Sequence, residues 1–340
     1  VSRTGYYLLI AILGVASCGG QMTQVTQSTA GKIVYQTELV RNPSYGGGGA
    51  PRYSDQLRAL ILRDNVPERR TVYFDGTHSR AEEINFDYGV KSPAIRLRAV
   101  GGGATLYCKE FPHVHFCVEH PDLTSVTGPS PILQLTDEQA QVGGFSCRKA
   151  IYNNLTQKQE LYFAEQVHVE DPTGAVYRVD GVPGLIVQWK AIDDPSADVV
   201  QRVTVVESSF ARPAATLFAP PAGFRKMASV DEARAEERRL LDAEAAQHPA
   251  TAEERARFVG RWRLATAPDD LRIEIAPDGD GYLMHTTHDG TTSDEHATMK
   301  GRALVVEGAS NFRLYRVSDD GGQLMLVGSE AFRFDRARSS

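Results

Sequence analysis

The sequence predicts a mainly β chain built in two units: an antiparallel sandwich or open barrel, then a small up-and-down barrel, joined by short helices. Three observations predict it. Short runs rich in β-branched and aromatic residues recur from Lys32 onwards, broken by Asp-Gly, Tyr-Gly and Gly-Gly punctuation. A stretch rich in Ala, Glu and Arg, free of Gly and Pro, interrupts them between Ser229 and Gln247. After Phe258 the runs return as about eight short strands with tight turns between most of them, a pattern that closes into a barrel and removes exposed edges.

In the first unit, strands are expected at Lys32–Val40, Arg70–Phe74, Arg80–Phe86, Ala94–Val100 and Ala104–His120. Further strands are expected at Phe145–Tyr152, Gln159–Val169, Tyr177–Val179, Ile186–Ile192 and Val199–Glu207. The apolar segment Leu57–Arg63 has a period ambiguous between helix and strand. The run Gly46–Gly49 lacks the Lys-Ser/Thr and following helix that phosphate cradling requires, and reads as a loop. Ser229 with Glu232, and Thr251 with Glu254, have capping-box spacing, so two helices flank Pro249 as a polar connector. The last unit is expected to run Phe258–Ala265, Leu271–Ile275, Tyr282–Thr287, Thr291–Met299, Ala303–Glu307, Phe312–Val317, Gln323–Val327 and Ala331–Phe334.

The N-terminus reads as an export signal. Arg3 precedes the uncharged apolar run Tyr6–Ala16, too short for the roughly 20 residues of a membrane span but suited to a signal peptide. The run ends in Val15-Ala16-Ser17-Cys18, which resembles a bacterial lipobox with Cys18 as lipid acceptor. The expected organisation is a signal peptide over 1–17, a tether over 18–30, a β domain over 31–228, a helical connector over 229–257 and a barrel over 258–340. Gly19 is not Asp, so outer-membrane anchoring facing the periplasm is expected. Several acyl chains on one Cys suffice for stable anchoring, where a single chain is marginal.

Composition is that of an ordinary globular chain, 41% hydrophobic and 24% charged, which argues against global disorder. A net charge of −6 without a dense basic stripe argues against nucleic acid as a partner. Four cysteines are too few for a disulfide scaffold.

The richest chemical cluster is Cys108, His113, His115, Cys117 and His120. On one continuous strand His113, His115 and Cys117 share a face, and imidazole with thiolate suits copper or zinc. If the segment instead turns at Pro112-His113, Cys108 lies opposite Cys117 and a disulfide is feasible, favoured by an oxidising envelope. Pairings involving Cys147 remain open, and Cys147 otherwise reads as a buried thiol. His285, His288 and His296 flank a hairpin and read as surface residues. The chain has no His-Glu-x-x-His, paired Cys-x-x-Cys, Gly-x-Ser-x-Gly or dinucleotide fingerprint, so no catalytic residue is nominated and no cofactor is called for. Asn154-Leu-Thr156 fits a glycosylation acceptor by coincidence.

The hexapeptide Gly181-Val182-Pro183-Gly184-Leu185-Ile186 resembles the signature of the GLPGLI family of bacterial envelope proteins, with Val182 in place of Leu. Gly144–Ala150, Thr71–Gly76 and Phe218–Phe224 are similar to that family's other strands and closing segment, so the resemblance covers roughly residues 31–228. It implies an exported β domain related to the half-barrel of lipoprotein carriers, with no catalytic residues to carry over. From the residues alone, the two glycines and Pro183 make a rigid turn before a strand, with a ligand contact as the alternative role. The last unit resembles the lipocalin-like superfamily: Gly260-Arg261-Trp262 is similar to its Gly-x-Trp, and Arg333 stands where an Arg packs across that Trp at the barrel base. Such a small barrel is either filled by side chains or holds one small ligand.

These readings lead to a non-enzymatic, membrane-anchored envelope lipoprotein that binds a small hydrophobic ligand or supports envelope maintenance. The bilayer is its partner through Cys18. The alternatives are a metal-binding or metal-stress protein using His113, His115, Cys117 and His120, and a structural module docking an envelope protein.

Overall fold

The computed structural model describes residues 26–41, 69–87, 90–102, 104–121, 132–154, 157–192, 199–265, 271–288, 291–307, 312–327 and 332–337. Cys18, the Gly46–Gly49 run, the Leu57–Arg63 segment and Thr156 of the glycosylation triplet lie outside the described residues.

The first unit contains β1 (Thr26–Ser28), β2 (Gly31–Arg41), β3 (Arg69–Phe74), β4 (His78–Asp87), β5 (Val90–Ala99), β6 (Ala104–Glu110) and β7 (His115–Pro121). It continues through β8 (Ile132–Val142), β9 (Phe145–Asn154), β10 (Gln157–Ala164), β11 (Val167–Val169), β12 (Leu185–Ala191), β13 (Val199–Ser209) and β14 (Arg225–Lys226). Among the described residues, twelve of these form one mixed sheet in the order β14-β7-β6-β5-β4-β3-β2-β13-β12-β10-β9-β8. Its neighbours run antiparallel except β14 with β7, and β1 pairs separately, in parallel, with β11.

The sheet's centre explains its composition. Ile33, Val34 and Tyr35 on β2 are all buried, as a central strand requires when both faces are covered. Part of one face is covered by the segment between β11 and β12, whose Ala175 and Val176 pack with Ile33, Tyr35, Val72 and Phe74. The expected strand at Tyr177–Val179 is part of this cover and is irregular. Arg70 Nη2 donates to Ala175 O at 2.9 Å and Arg98 Nη1 to Thr173 O at 3.3 Å, so the cover's carbonyls are satisfied from the sheet. The expected strand Gln159–Val169 breaks at Glu165-Gln166 into β10 and β11. The edge strand β8 was not anticipated: its sequence ILQLTDEQAQV is polar and most of its residues are exposed. A register shift between Leu135 and Gln139 places Asp137 and Glu138 in a bulge, which discourages edge-to-edge pairing.

The helices follow as α1 (Val230–Gln247) and α2 (Ala252–Phe258). Thr251 and Glu254 make a full capping box. At α1 the Ser229 hydroxyl accepts from Glu232 N–H, but the Glu232 carboxylate takes Ala228 N–H instead of closing the box. The connector is packed as well as polar, because α1 buries Ala233, Glu237 and Leu241.

The last unit is a closed barrel of β15 (Gly260–Leu264), β16 (Leu271–Asp278), β17 (Gly281–His288), β18 (Thr291–Lys300), β19 (Ala303–Glu307), β20 (Phe312–Val317), β21 (Gln323–Leu326) and β22 (Arg333–Arg336). Strand alternation sends Trp262, Ile273, Met284, Leu304, Leu324 and Phe334 inward, each 3% exposed or less, and they fill its interior. Trp262 Nε1 donates to Phe258 O at 3.0 Å, tying α2 to the barrel base.

The expected partner of Trp262 is corrected. Arg336, not Arg333, lies over the indole, with its guanidinium carbon 4.7 Å from the ring centroid. The register pairs Trp262 with Arg336, and Arg336 shares its parity with the inward-facing Phe334; Arg333 therefore faces solvent. Arg336 also donates to Arg257 O and Val259 O at the end of α2.

Candidate functional site

The two units meet around α1. Phe111, Val114, Phe116 and Val118 from the β6–β7 hairpin, Ala233 and Leu241 from α1, and Val305, Phe312 and Leu314 from the outer barrel wall form one shared core. Strand alternation in β20 makes this possible: Phe312 and Leu314 face α1 while Tyr315 packs with the barrel interior.

The hairpin is held rigid at its tip. Cys108 and Cys117 face each other in register and are joined by a disulfide, with Cα atoms 3.9 Å apart. Phe111 N–H donates to Val114 O at 2.8 Å and closes the turn. Phe111 then packs at a tilt against Phe116 at 4.8 Å and meets Phe312 edge-on at 5.6 Å between ring centroids.

At that tip His113 is clamped by α1. Its backbone N–H donates to Glu237 Oε2 at 3.0 Å, and its ring Nδ1 is 2.8 Å from Oε1. Its Nε2 is 3.2 Å from Glu244 Oε2. Glu237 and Glu244 are two helical turns apart and so share a face of α1. Glu237 is 0% exposed, whereas the Glu244 side chain is 50% exposed. A carboxylate oxygen thus stands within ion-pair distance of each ring nitrogen. On the barrel side, Lys300 pairs with Asp242, Arg238 with Glu307, and Arg302 with Glu254 at 2.8 Å.

Between these elements lies a groove of about 1210 Å³. Phe111, Leu241, Ala303, Phe312, Leu314 and Val327 supply its apolar lining, and His113 and Glu244 stand in its wall with Lys109, Glu110, His248 and Arg316. The arrangement can hold an elongated apolar group beside a charged rim. Sequence reasoning missed Glu237, Glu244 and Phe312. The one usable signal was the four-residue spacing Ala233, Glu237, Leu241, a buried stripe running through a charged helix.

The proposed metal ligands are not brought together. Cys117 is in the disulfide, His115 packs against Phe224 at 5.3 Å, His120 meets Tyr107 edge-on at 5.7 Å, and His113 is engaged with Glu237 and Glu244. The turn at residues 111–114 removes the single continuous strand that would have aligned them. Among the described residues no His, Cys, Asp or Glu group is arranged to hold a metal ion. His285 pairs with Asp294 and His296 with Asp278. Cys147 is a buried free thiol, pushed up to about 11 by that burial.

The hexapeptide forms the turn that leads from the sheet's cover into β12. Gly184 has φ +142, and a Cβ there would lie 2.3 Å from Ala164 O. Gly181 has φ +87. Val182 N–H bonds Val179 O, Gly184 N–H bonds Val182 O, and Leu185 and Ile186 are buried at once in the strand. A second, smaller cavity of about 520 Å³ lies beside Val182, Pro183 and Gly184.

No protein-family model and no curated protein matches the chain. Structures of PNGF-II in C2 and P21 space groups are similar to it at 8% identity and TM-score 0.32, over 60% and 61% of this chain. The chain spans about a third of PNGF-II's length, 32% and 33% in the two structures. A DNA polymerase III subunit beta sliding clamp from Bartonella birtlesii aligns over 89% of this chain at 9% identity and TM-score 0.13. Similarity at these scores carries no functional argument.

Proposed function

We propose that this chain is a non-enzymatic binding protein of the bacterial envelope, anchored to a membrane through lipidated Cys18, whose hydrophobic ligand lies in the groove between the sheet and the barrel. The observation that carries this reading is the pairing of a groove of about 1210 Å³, floored by Phe111, Phe312 and Leu314, with a barrel interior already filled by its own side chains. An apolar lining beside a charged rim suits a molecule with an apolar stem. The resemblance of the hexapeptide to the GLPGLI signature, and of Gly260-Arg261-Trp262 to the lipocalin-like first strand, supports an exported β protein. The lipobox-like Val15–Cys18 supports the anchor and the envelope address.

The test uses residues 19–340, which contain every described element. Organic extracts of the purified protein are analysed by mass spectrometry, and a fluorescent fatty-acid analogue is titrated in. Co-purifying lipid and saturable one-site binding are expected. An empty extract together with no saturable binding overturns the proposal.

A further inference from the structure

We infer that the chain has a second binding site, a polar cleft on the face of the sheet that points away from Tyr35, and that its ligand class is a neutral oligosaccharide. The cleft has a volume of about 670 Å³. Small-molecule sites span roughly 300–1,000 Å³. The cleft is separate from the groove beside the barrel, since the two share no lining residue.

Strand register builds the floor. Residues paired across antiparallel strands share a face, so Tyr162 on β10, Gln188 on β12, Thr204 on β13 and Gln36 on β2 form one row. Glu160, Lys190, Arg202 and Glu38 form the row beside it. Their chain neighbours Tyr35, Trp189 and Val203 point the opposite way and pack in the core. The end of the sheet supplies a wall. β8 and β13 are four places apart in the sheet order, yet Gly143, just past β8, approaches β13 so closely that a Cβ there would lie 2.6 Å from Val205 O. Ala140, Gln141 and Val142 therefore border the cleft from that side.

The chemistry of this floor selects its occupant. The charged row is matched within itself: Arg202 Nε lies 2.7 Å from Glu38 Oε1, and Lys190 Nζ lies 3.7 Å from Glu160 Oε1. With two acidic and two basic side chains in the lining, the cleft makes no demand for an ion. The neutral row carries what a sugar hydroxyl needs, because a hydroxyl both donates and accepts and so does a glutamine amide. Gln188 Nε2 donates to Thr204 Oγ1 at 2.9 Å, which holds the two side chains in one arrangement. The amide still offers its carbonyl oxygen and second N–H, and the threonine its own hydrogen. Gln36 and Gln141 add amides from the floor and the wall, and the Tyr162 ring offers a flat apolar surface for the C–H face of a sugar. An alkyl chain has little to lie on, since the aliphatic side chains of the lining are those of Ala140, Val142 and Val206.

Maltotriose, cellotriose and tri-N-acetylchitotriose are titrated by calorimetry into residues 19–340 of the wild type, Gln188→Leu and Gln141→Ala, with trigalacturonate as the charged counterpart. At least one neutral trisaccharide is expected to bind the wild type saturably, with a Kd of about 1 mM or tighter, and more tightly than trigalacturonate. Gln188→Leu should weaken that binding about tenfold through the loss of one amide's hydrogen bonds. Gln141 is exposed, so Gln141→Ala should fold as the wild type does and still weaken binding severalfold. The fluorescent fatty-acid analogue should not displace the sugar. Any one of four results overturns the inference: no binding of a neutral trisaccharide, trigalacturonate bound as tightly, unchanged affinity in both variants, or displacement by the fatty acid. None of them bears on whether the groove holds a hydrophobic ligand.

Discussion

His113 Nδ1 lies 2.8 Å from Glu237 Oε1, so a residue at the tip of a disulfide-closed hairpin is bound to a carboxylate with no exposed surface on the helix that joins the two units. This contact joins the hairpin to α1, and the core shared by Phe111, Leu241 and Phe312 adds the barrel wall. Glu237→Ala leaves the His113 donors without their acceptor and should destabilise the protein by about 3 kcal/mol, read by urea unfolding. Glu244→Ala, at the exposed side of the same ring, should cost less than about 1 kcal/mol. Equal costs would show that burial does not distinguish the two.

The disulfide between Cys108 and Cys117 closes a loop of sequence separation 9, the loop that carries Phe111 and His113. The double change Cys108→Ser, Cys117→Ser should lower stability by roughly 2–3 kcal/mol through added freedom of the unfolded chain. Hydrogen exchange should locate the loosening at residues 109–116. Cys147 should stay unlabelled by thiol reagents until the protein unfolds, since its buried thiol is pushed up to about 11.

At the barrel base the two arginines of β22 should behave differently. Arg336→Ala removes the guanidinium over Trp262 and its donation to Arg257 O and Val259 O, and should cost about 1–2 kcal/mol. Arg333→Ala, on the solvent face, should stay within about 0.5 kcal/mol of wild type. Thermal melts of the two variants decide it.

The hexapeptide turn should reject a side chain at one position and accept one at another. Gly184→Ala places a methyl 2.3 Å from Ala164 O at φ +142 and should cost about 3 kcal/mol or more. Val182→Leu adds one methylene to a half-buried side chain and should change stability by less than about 1.5 kcal/mol.

Asp75 gives the fold an acid sensitivity. Its burial pushes the carboxyl up, but Thr77 N–H, His78 N–H and the Thr77 hydroxyl together bring it down to about 2. A carboxylate depressed in the folded state stabilises fully above its unfolded value near 3.8 and loses that contribution as pH falls towards 2. Asp75→Asn should therefore flatten the fall in stability between pH 4 and pH 2 by about 1–2 kcal/mol, measured by urea unfolding across that range.

Much of the fold was legible because burial writes itself into strand alternation. Trp262, Leu264 and Ile273 alternate with exposed residues, and the barrel runs followed from apolar patterns of that kind and from the turns between them. The Cys108–Cys117 register followed from counting outwards from Pro112-His113. What stayed hidden depended on neighbours far away in the chain. β8 exposes most of its residues, so it carries no apolar period. Arg333 and Arg336 are distinguished by which parity of β22 faces inward, which a three-residue motif does not state. The groove needs Phe111, Leu241 and Phe312 from three separate elements, and each of them alone reads as ordinary core.

Photo-crosslinking with a diazirine-bearing fatty acid, followed by peptide mapping on residues 19–340, tests the central claim most directly. The account predicts label on the hairpin tip at residues 109–115 and on the outer face of β20 at residues 312–316, competed away by excess unlabelled oleate. Label confined to the inward-facing residues of the barrel, or label that unlabelled oleate does not displace, would contradict it.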